Sequence, residues 1–320
     1  MTTELIAYAD IDEVLGDRAG RFFGEGYKRL THHLDEIVLD HDEQGRPRAT
    51  ATAGVRYPAD WSRKRSRVLE PHLSSLDAAI FGHRLLDVVL REFFGLSAHD
   101  IRSAWLPSIR FSSGTAATES LDRFPVTARV TSFEGHTLTV TGELGHGMTL
   151  EATVALPVPA APRDLERATA TERGGGFFHD AVYRRAQYLR NVVVTADGTG
   201  ATAEYELAHL DTAAAGEGVA DAYQPSISLV DATVLLAQLS QVVLYELDNI
   251  ARADSETLWM RRMATRATAP PARYAPGTVS TRIVRSMILT FGGGDWRISS
   301  WASDFAGCTV TYDLAHRLPT

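Results

Sequence analysis

Two carboxylates stand at matched points of this 320-residue chain, each three residues after a serine. Pro71-His72-Leu73-Ser74-Ser75-Leu76-Asp77-Ala78 opens one long apolar segment, and Pro225-Ser226-Ile227-Ser228-Leu229-Val230-Asp231-Ala232 opens another. The offset from Asp77 to Asp231 is 154 residues, and the same offset separates Trp105 from Trp259 downstream. A carboxylate at the start of a buried helix is placed for general acid or base work. Desolvation perturbs its ionisation, while the helix dipole favours its charged form, which suits a base or orienting role. The same Ser-x-x-Asp spacing also resembles a capping box, in which the acid only closes a helix end. Both acids carry both readings.

The surroundings differ between the copies. Glu70, His72 and Ser75 flank the first entrance, where the second has Gln224, Ser226 and Leu229. His72 is therefore the candidate catalytic histidine. His83 lies six residues past Asp77, not quite on its face, and Gln238 lies seven past Asp231, on the same face after two turns. His83, Gln238 and Trp105 are candidates to line a substrate site. A further cluster is Arg21-Phe22-Phe23-Gly24-Glu25-Gly26-Tyr27-Lys28-Arg29. Its glycines allow close backbone approach, and a basic side chain there suits phosphate or carboxylate. Phe23, Gly24 and Lys28 are its binding candidates, and Tyr27 joins Asp77, Asp231 and His72 as a catalytic candidate. The plainer reading is a turn into the first strand with basic residues on the wet side.

Other chemistries find no support. The chain has no P-loop and no Gly-x-Ser-x-Gly elbow. Gly142-Glu143-Leu144-Gly145-His146-Gly147 lies between strand patterns and reads as a hairpin. His32-His33, His136 and His146 lack metal-ligand spacing, and the single Cys308 excludes an intrachain disulfide or a cysteine-cluster metal site. Cys308 reads as a buried strand thiol. No metal and no cofactor is expected.

The elements that must position these residues are legible as periods. Leu73 to Phe94 reads as one helix stopped by Gly95, and Ser228 to about Ala251 as a second, apolar nearly all round. Thr137–Thr141 and Cys308–Tyr312 alternate with period two, as half-buried antiparallel strands do. Gly292-Gly293-Gly294 reads as a turn between strands. Phe22-Phe23 with Tyr27-Lys28-Arg29 resembles Phe177-Phe178 with Tyr183-Arg184-Arg185, one residue longer in the second copy, and both are expected as strands. A helix without a polar face needs a sheet wrapped round it. The fold class is therefore α+β, a double hot-dog: residues 1–158 form a first unit with an N-terminal extension, 159–176 a linker, and 177–320 a second unit.

Net charge of −8 and a pI near 5.8 give no overall basic field for nucleic acid or anionic lipid. Arg63-Lys64-Arg65-Ser66-Arg67 is the exception, able to meet a phosphate or an acidic carrier but read more simply as a solvated loop. The N-terminus lacks a signal pattern and no apolar run is read as membrane-spanning, so a cytoplasmic protein is expected.

Ile11-Asp12-Glu13-Val14-Leu15-Gly16, followed by Arg21 to Lys28 of the cluster above, resembles the avirulence D (AvrD) family, and the overall length fits. That resemblance implies secondary-metabolite chemistry of the syringolide type: acyl-sugar lactones built from a β-ketoacyl chain and a pentulose. In logic it is similar to A-factor-type butenolide synthases, which join a β-ketoacyl carrier-protein thioester to a small phosphorylated hydroxyketone on a duplicated hot-dog. The Asp-Ala steps also resemble polyketide dehydratase domains, whose acid maps onto Asp77 and Asp231. The Gln or His of that pattern four residues later is absent, since Phe81 and Leu235 stand there. Its His-x-x-x-Gly-x-x-x-x-Pro motif is absent from the first half.

The resemblances imply an enzyme of acyltransferase or condensing type. It would move a β-ketoacyl group from a thioester, of acyl carrier protein or CoA, to a hydroxyl of a small polyol or sugar acceptor, with ring closure open to follow. Asp77 with His72 or Tyr27 would supply the base and its orienting partner, and Asp231 their equivalent. The alternatives are a dehydratase, cyclase or thioesterase on a carrier-bound chain, or a non-catalytic acyl or small-molecule binder. Partners are then small molecules and a thioester, with neither nucleic acid nor membrane. Pairing of hot-dogs within one chain leaves monomer and homodimer both open.

Overall fold

A computed structural model describes residues 5–319, except 65, 66, 69 and 211–215. The chain opens with β1 (Ala7–Asp10), α1 (Asp12–Leu15) and short helical turns through residue 29. Next come β2 (Thr31–His41), β3 (Pro47–Arg56), a two-rung ladder of β4 (Arg63–Lys64) with β5 (Arg67–Val68), and α2 (Ser75–Glu92). Then α3 (Ala98–Ser103) leads to β6 (Trp105–Ser112), β7 (Phe124–Glu134), β8 (Thr137–Leu144) and β9 (Met148–Ala155). The second half repeats this plan. It runs β10 (Ala168–Ala170), a helical turn into α4 (Val182–Arg184), β11 (Ala186–Val194), β12 (Gly200–Ala208) and α5 (Leu229–Asp248). It ends with β13 (Leu258–Ala267), β14 (Gly277–Phe291), β15 (Gly294–Phe305) and β16 (Cys308–Arg317). Of the basic cluster, Arg65 and Ser66 lie outside the described residues, as does Met1–Glu4.

The strands form one antiparallel sheet in the order β1-β11-β12-β14-β15-β16-β13-β6-β9-β8-β7-β3-β2-β10. Read outward from its centre, β6-β9-β8-β7-β3-β2 mirrors β13-β16-β15-β14-β12-β11. The two halves join where β6 pairs with β13, and there Arg110 faces Ala264. Those positions are themselves 154 residues apart, so a pseudo-twofold axis passes through that pair. A duplicated unit thus closes its own exposed edge against its copy, which removes an aggregation-prone edge from each. The architecture is a double hot-dog, with α2 and α5 enclosed by the two halves of the sheet.

Both helices start as capping boxes. Ser74 and Ser228 accept the N–H of Asp77 and Asp231, whose carboxylates accept the serine N–H in return. α2 ends at Glu92 before Gly95 at φ +60, and α5 at Asp248 before Asn249 at φ +51. Each helix is therefore a few residues shorter than its apolar run. α5 is long and apolar enough to cross a membrane by length and composition, which the sequence reading passed over. Most of it is instead packed inside the sheet, including Leu235, Leu236, Leu239 and Val243. Burying each such side chain stabilises by about 1.5–3 kcal/mol.

The expected strands at Phe22 and Phe177 are short helical turns. In the first, the N–H groups of Gly24 and Gly26 both bond the Arg21 carbonyl, at 3.1 and 3.0 Å. A Cβ on Gly24 would lie 2.2 Å from the Arg18 carbonyl oxygen, and one on Gly26 2.3 Å from that of Trp61. The backbone is too tightly wound and packed there for a pleated strand. In the second, the Asp221 carboxylate accepts the N–H of Phe177 and fixes the turn.

The segments preceding each unit cross over. β1 pairs with β11 of the second unit, and β10 pairs with β2 of the first. Within 159–176, β10 lies on that sheet edge and Glu172 is ion-paired to Arg84 of α2.

Candidate active site

The helix entrances are where the crossings meet. At the first, Asp77 is enclosed, with a side-chain exposure of 0 %. Four donors converge on its carboxylate. The His32 Nε2 lies 2.7 Å from Oδ1, and Tyr57 O–H reaches Oδ2 at 2.6 Å. The Ser74 N–H and hydroxyl both donate to Oδ2 at 2.7 Å. On the far side of the imidazole, the Tyr183 hydroxyl sits 2.7 Å from Nδ1. Burial pushes the Asp77 carboxyl up. The bond and charge of His32, with Tyr57 and the Ser74 N–H, outweigh it and hold Asp77 below the ordinary carboxylate range. Burial and the Asp77 charge push the Tyr57 phenol well up, and burial does the same for Tyr183, so both remain protonated donors. Asp77 and the Tyr183 hydroxyl thus hold the two ring nitrogens of His32 from opposite sides.

The second entrance uses other groups for the same geometry. The Arg185 Nη1 donates to Asp231 Oδ2 at 2.8 Å and Gln187 Nε2 to Oδ1 at 2.8 Å. The Gln187 amide in turn meets the Tyr27 hydroxyl at 2.9 Å. So Tyr183 reaches across to the first acid's partner, and Tyr27 to the second's. Gln187 stands where the first unit has His32. Burial and the Asp231 charge push the Tyr27 phenol up. Arg185 also donates to the Ser226 carbonyl and Gln224 Oε1, so this entrance is saturated by a fixed cation and holds no histidine.

A cavity of about 1240 Å³ opens beside the first entrance. Its wall takes His72 to Ser75 at the start of α2 and the far strands β13 to β16, and none of residues 224–231. Phe23, Trp61, Trp259, Met287 and Trp296 give it an apolar lining that suits an acyl chain. Ser74 connects this space to the buried network, since the residue lines the cavity and its hydroxyl bonds Asp77. Phe22 does so as well, stacking on Tyr57 at 6.1 Å between centroids.

The sequence candidates distribute as follows. His72 lies on the cavity wall, tilted against Trp259 at 4.4 Å, with Nδ1 3.3 Å from the Glu70 carbonyl. Burial lowers its pKa, with the Glu70 contact opposing. No hydrogen bond joins it to Asp77. Phe23 and Gln238 also line the cavity. Gly24 is used for tight packing. Lys28 is held by Glu25 at 3.0 Å, and burial lowers its pKa. Its charge is answered within the fold. His83 donates Nδ1–H to the Ala79 carbonyl and stacks on Phe178 at 3.8 Å, its pKa pushed down to about 4 by burial. It is a core histidine. Trp105 pairs with Ala155 at the first position of β6 and is not among the residues lining the cavity. Cys308, expected as a buried thiol, is half-buried at the first position of its strand.

Sequence reasoning missed His32, Tyr57 and Tyr183. From spacing alone His32 offers only a test for metal ligation, which it fails. Its signal was the alternation of β2, which turns His32 and Leu34 inward. Among the described residues no cluster of histidine, cysteine or carboxylates could hold a metal ion.

Comparison with known proteins places the chain in context. The family model described as Pseudomonas avirulence D protein (AvrD) matches residues 6–319. No curated protein matches the sequence significantly. Among solved structures, a TesB protein of Mycobacterium avium subspecies paratuberculosis is similar over 88% of this chain and 96% of its own, at 9% identity and a TM-score of 0.43. A putative oleoyl thioesterase of Lactobacillus plantarum is similar over 91% and 97%, at 12% identity and a TM-score of 0.42. The dehydratase domain of PpsC from Mycobacterium tuberculosis, solved with C12:1-CoA, is similar over 89% and 98%, at 13% identity and a TM-score of 0.38.

Proposed function

The chain belongs to the avirulence D family, and from that premise and the geometry of the first entrance we propose that it is an enzyme acting on acyl thioesters. In this reading it transfers a β-ketoacyl group to a hydroxyl of a sugar-like acceptor. The observation that carries the proposal is the large cavity, lined by both aromatic and polar side chains, ending on the capped start of α2, with a histidine of lowered pKa on the same wall. The N–H groups of Ser75 and Leu76, first in the helix, have no intrahelical partner by position. They are donors for the oxygen of a thioester carbonyl as it gains charge. His72, with Nδ1–H turned to the Glu70 carbonyl, presents Nε2 as a base.

The acceptor hydroxyl gives its proton to His72, its oxygen attacks the thioester carbon, and the C–S bond breaks as the tetrahedral intermediate collapses. The thiolate then takes the proton back from His72. Asp77, saturated by four donors, is a positioning residue in this scheme. Its network with His32, Tyr57 and Tyr183 fixes the helix start on which the carbonyl would rest. Purified protein given a β-ketoacyl thioester, with and without a pentulose, tests this by thiol release. Release that requires the pentulose, with an acylated sugar as product, is the expected result. Equal release without it would establish a thioesterase instead.

A further inference from the structure

Eight large apolar side chains are exposed among the described residues, and four of them, Val284, Ile288, Leu289 and Phe291, lie at the end of β14. β14 pairs with β12 only from Gly277 to Arg282, and one further bond joins the Ile283 N–H to the Thr199 carbonyl. Beyond that point the strand keeps β15 on one side as far as Phe291 and has no strand on the other among the described residues. The backbone N–H and C=O groups along that edge are open to a further strand. A bulge at Val284 and the turn at Gly292-Gly293 bound a regular stretch, 285–291, with neither lysine nor proline to guard it. The matching strand of the first unit, β7, runs only five residues past its last pairing with β3, from Arg129 to Glu134, and there Phe133 packs on Phe94. β14 runs nine past Arg282, and Arg317 and Leu318 reach its hairpin only from the β15 side, at Gly293 and Asp295.

We propose that this edge pairs with the same edge of a second copy of the chain, antiparallel about a twofold axis through Ile288, the midpoint of 285–291. That axis sets Ile288 against itself, Met287 against Leu289, Ser286 against Thr290 and Arg285 against Phe291. Apolar meets apolar, hydroxyl meets hydroxyl, and a guanidinium meets an aromatic ring. Centred one residue earlier, the same strands would oppose Ile288 to Ser286 and Val284 to Thr290. The match belongs to one sequence facing itself, as a closed twofold contact requires. Four half-exposed apolar side chains per copy offer on the order of 800 Å² between two copies, and the paired backbones bring the total toward the roughly 1,000 Å² of a specific interface. A lipid surface suits the side chains but not the backbone, since an open edge leaves polar groups unpaired in hydrocarbon. Arg285, Met287 and Phe291 also line the cavity, so the second copy stands at its rim. The pairing does not rest on the acyl-transfer reading.

Sedimentation velocity of the full chain at micromolar concentration tests it. A species of twice the 34.9 kDa chain mass is expected. Ile288→Lys places two cations face to face across the axis and is expected to raise the dimer Kd by about a hundredfold or more. An equimolar mixture of Ile288→Lys and Ile288→Glu is expected to restore the dimer, because opposite charges then meet. Val158→Lys, at an exposed apolar residue beyond β9, leaves it unchanged. If Ile288→Lys fails to fold by circular dichroism, Leu289→Glu decides the matter in its place. A monomeric wild type overturns the pairing, and flotation of that monomer with phosphatidylglycerol vesicles would assign the edge to lipid instead. A dimer indifferent to these substitutions, or a charge-matched mixture that stays monomeric, overturns it as well. Growth beyond the dimer would mean head-to-tail contact and would refute the twofold.

Discussion

Replacing Asp77 by Asn separates charge from shape at the first entrance. The carboxylate accepts from Tyr57, the Ser74 N–H and the Ser74 hydroxyl on Oδ2, and from His32 on Oδ1. Asparagine offers one acceptor oxygen. Turned toward the three donors at Oδ2, it presents its amide N–H to His32, which must then carry its proton on Nδ1 and donate to Tyr183. The geometry survives, but charge-assisted bonds worth about 1.5–3 kcal/mol become neutral ones worth about 0.5–1.5. The favourable charge at the helix start, roughly 0.3–1 kcal/mol, is lost as well. A net loss of at least about 1–3 kcal/mol at neutral pH follows from these two terms. The pH dependence has a definite sign. The folded-state pKa of Asp77 is held below 3.8, so its contribution is complete above that value. The contribution disappears as pH falls through the folded pKa. Wild type and Asp77→Asn, compared by urea unfolding at pH 7 and at a series of values below 3.8, should differ at the first, with the difference narrowing steadily as pH falls. Asp231→Asn should cost more at neutral pH, about 3–5 kcal/mol, because it strands the buried Arg185 cation. Equal stability of Asp77→Asn and wild type at pH 7 would show that the carboxylate's charge anchors nothing.

Three further outcomes follow from the same geometry. His72→Gln should lower kcat/KM by about 10²–10⁴ with stability unchanged, and the wild-type profile should rise with pH through a value below 6.5, since His72 acts deprotonated and burial lowers its pKa. Tyr183→Phe should cost about 1–3 kcal/mol by leaving the buried His32 Nδ1 without its hydroxyl, and a melting curve reads it. Asp87, pushed up to about 8 by burial and the nearby Asp221, disfavours the folded state as pH rises above 3.8. Asp87→Asn should therefore raise stability at pH 7–8 by at least about 1.4 kcal/mol, one pKa unit's worth, and leave it unchanged near pH 4, as thermal unfolding at the two pH values would show.

What the sequence disclosed was local or periodic. The capping boxes, the apolar helices and the 154-residue offset all sit within short windows or repeat at a fixed distance. The partners of the acids obey neither condition. His32 lies 45 residues before Asp77, and Tyr183 lies 151 residues beyond His32, in the other unit. Only strand register and the crossing of the pre-strand segments bring them together. The repeat even misleads in places. Arg29 and Arg185 match in the alignment of the two copies, yet Arg29 turns outward to Asp60 while Arg185 turns inward to Asp231. A sequence match fixes a residue's place along the backbone, not the face it takes when the turn is one residue longer.

The crossing also explains why the two entrances could diverge. Each acid is served by two kinds of group: strand and turn residues of its own unit, and a tyrosine delivered by the segment that precedes the other unit. Tyr27 and Tyr183 keep that exchange symmetrical. Each tyrosine links one unit to the buried acid network of the other. The residue between tyrosine and acid can differ, because histidine and glutamine both bridge a hydroxyl and a carboxylate. Where it is Gln187, a buried guanidinium is needed to neutralise Asp231, and the entrance becomes an immobile ion pair. Where it is His32, no guanidinium among the described residues bonds the acid, and the neighbouring wall opens into the cavity with His72 on it. On the proposed reading, duplication leaves one entrance to stabilise the pair of units and the other for chemistry. A double substitution, His32→Gln with Tyr183→Phe, should then impair turnover through the first entrance while leaving the Arg185–Asp231 pair and the joining of β6 to β13 intact.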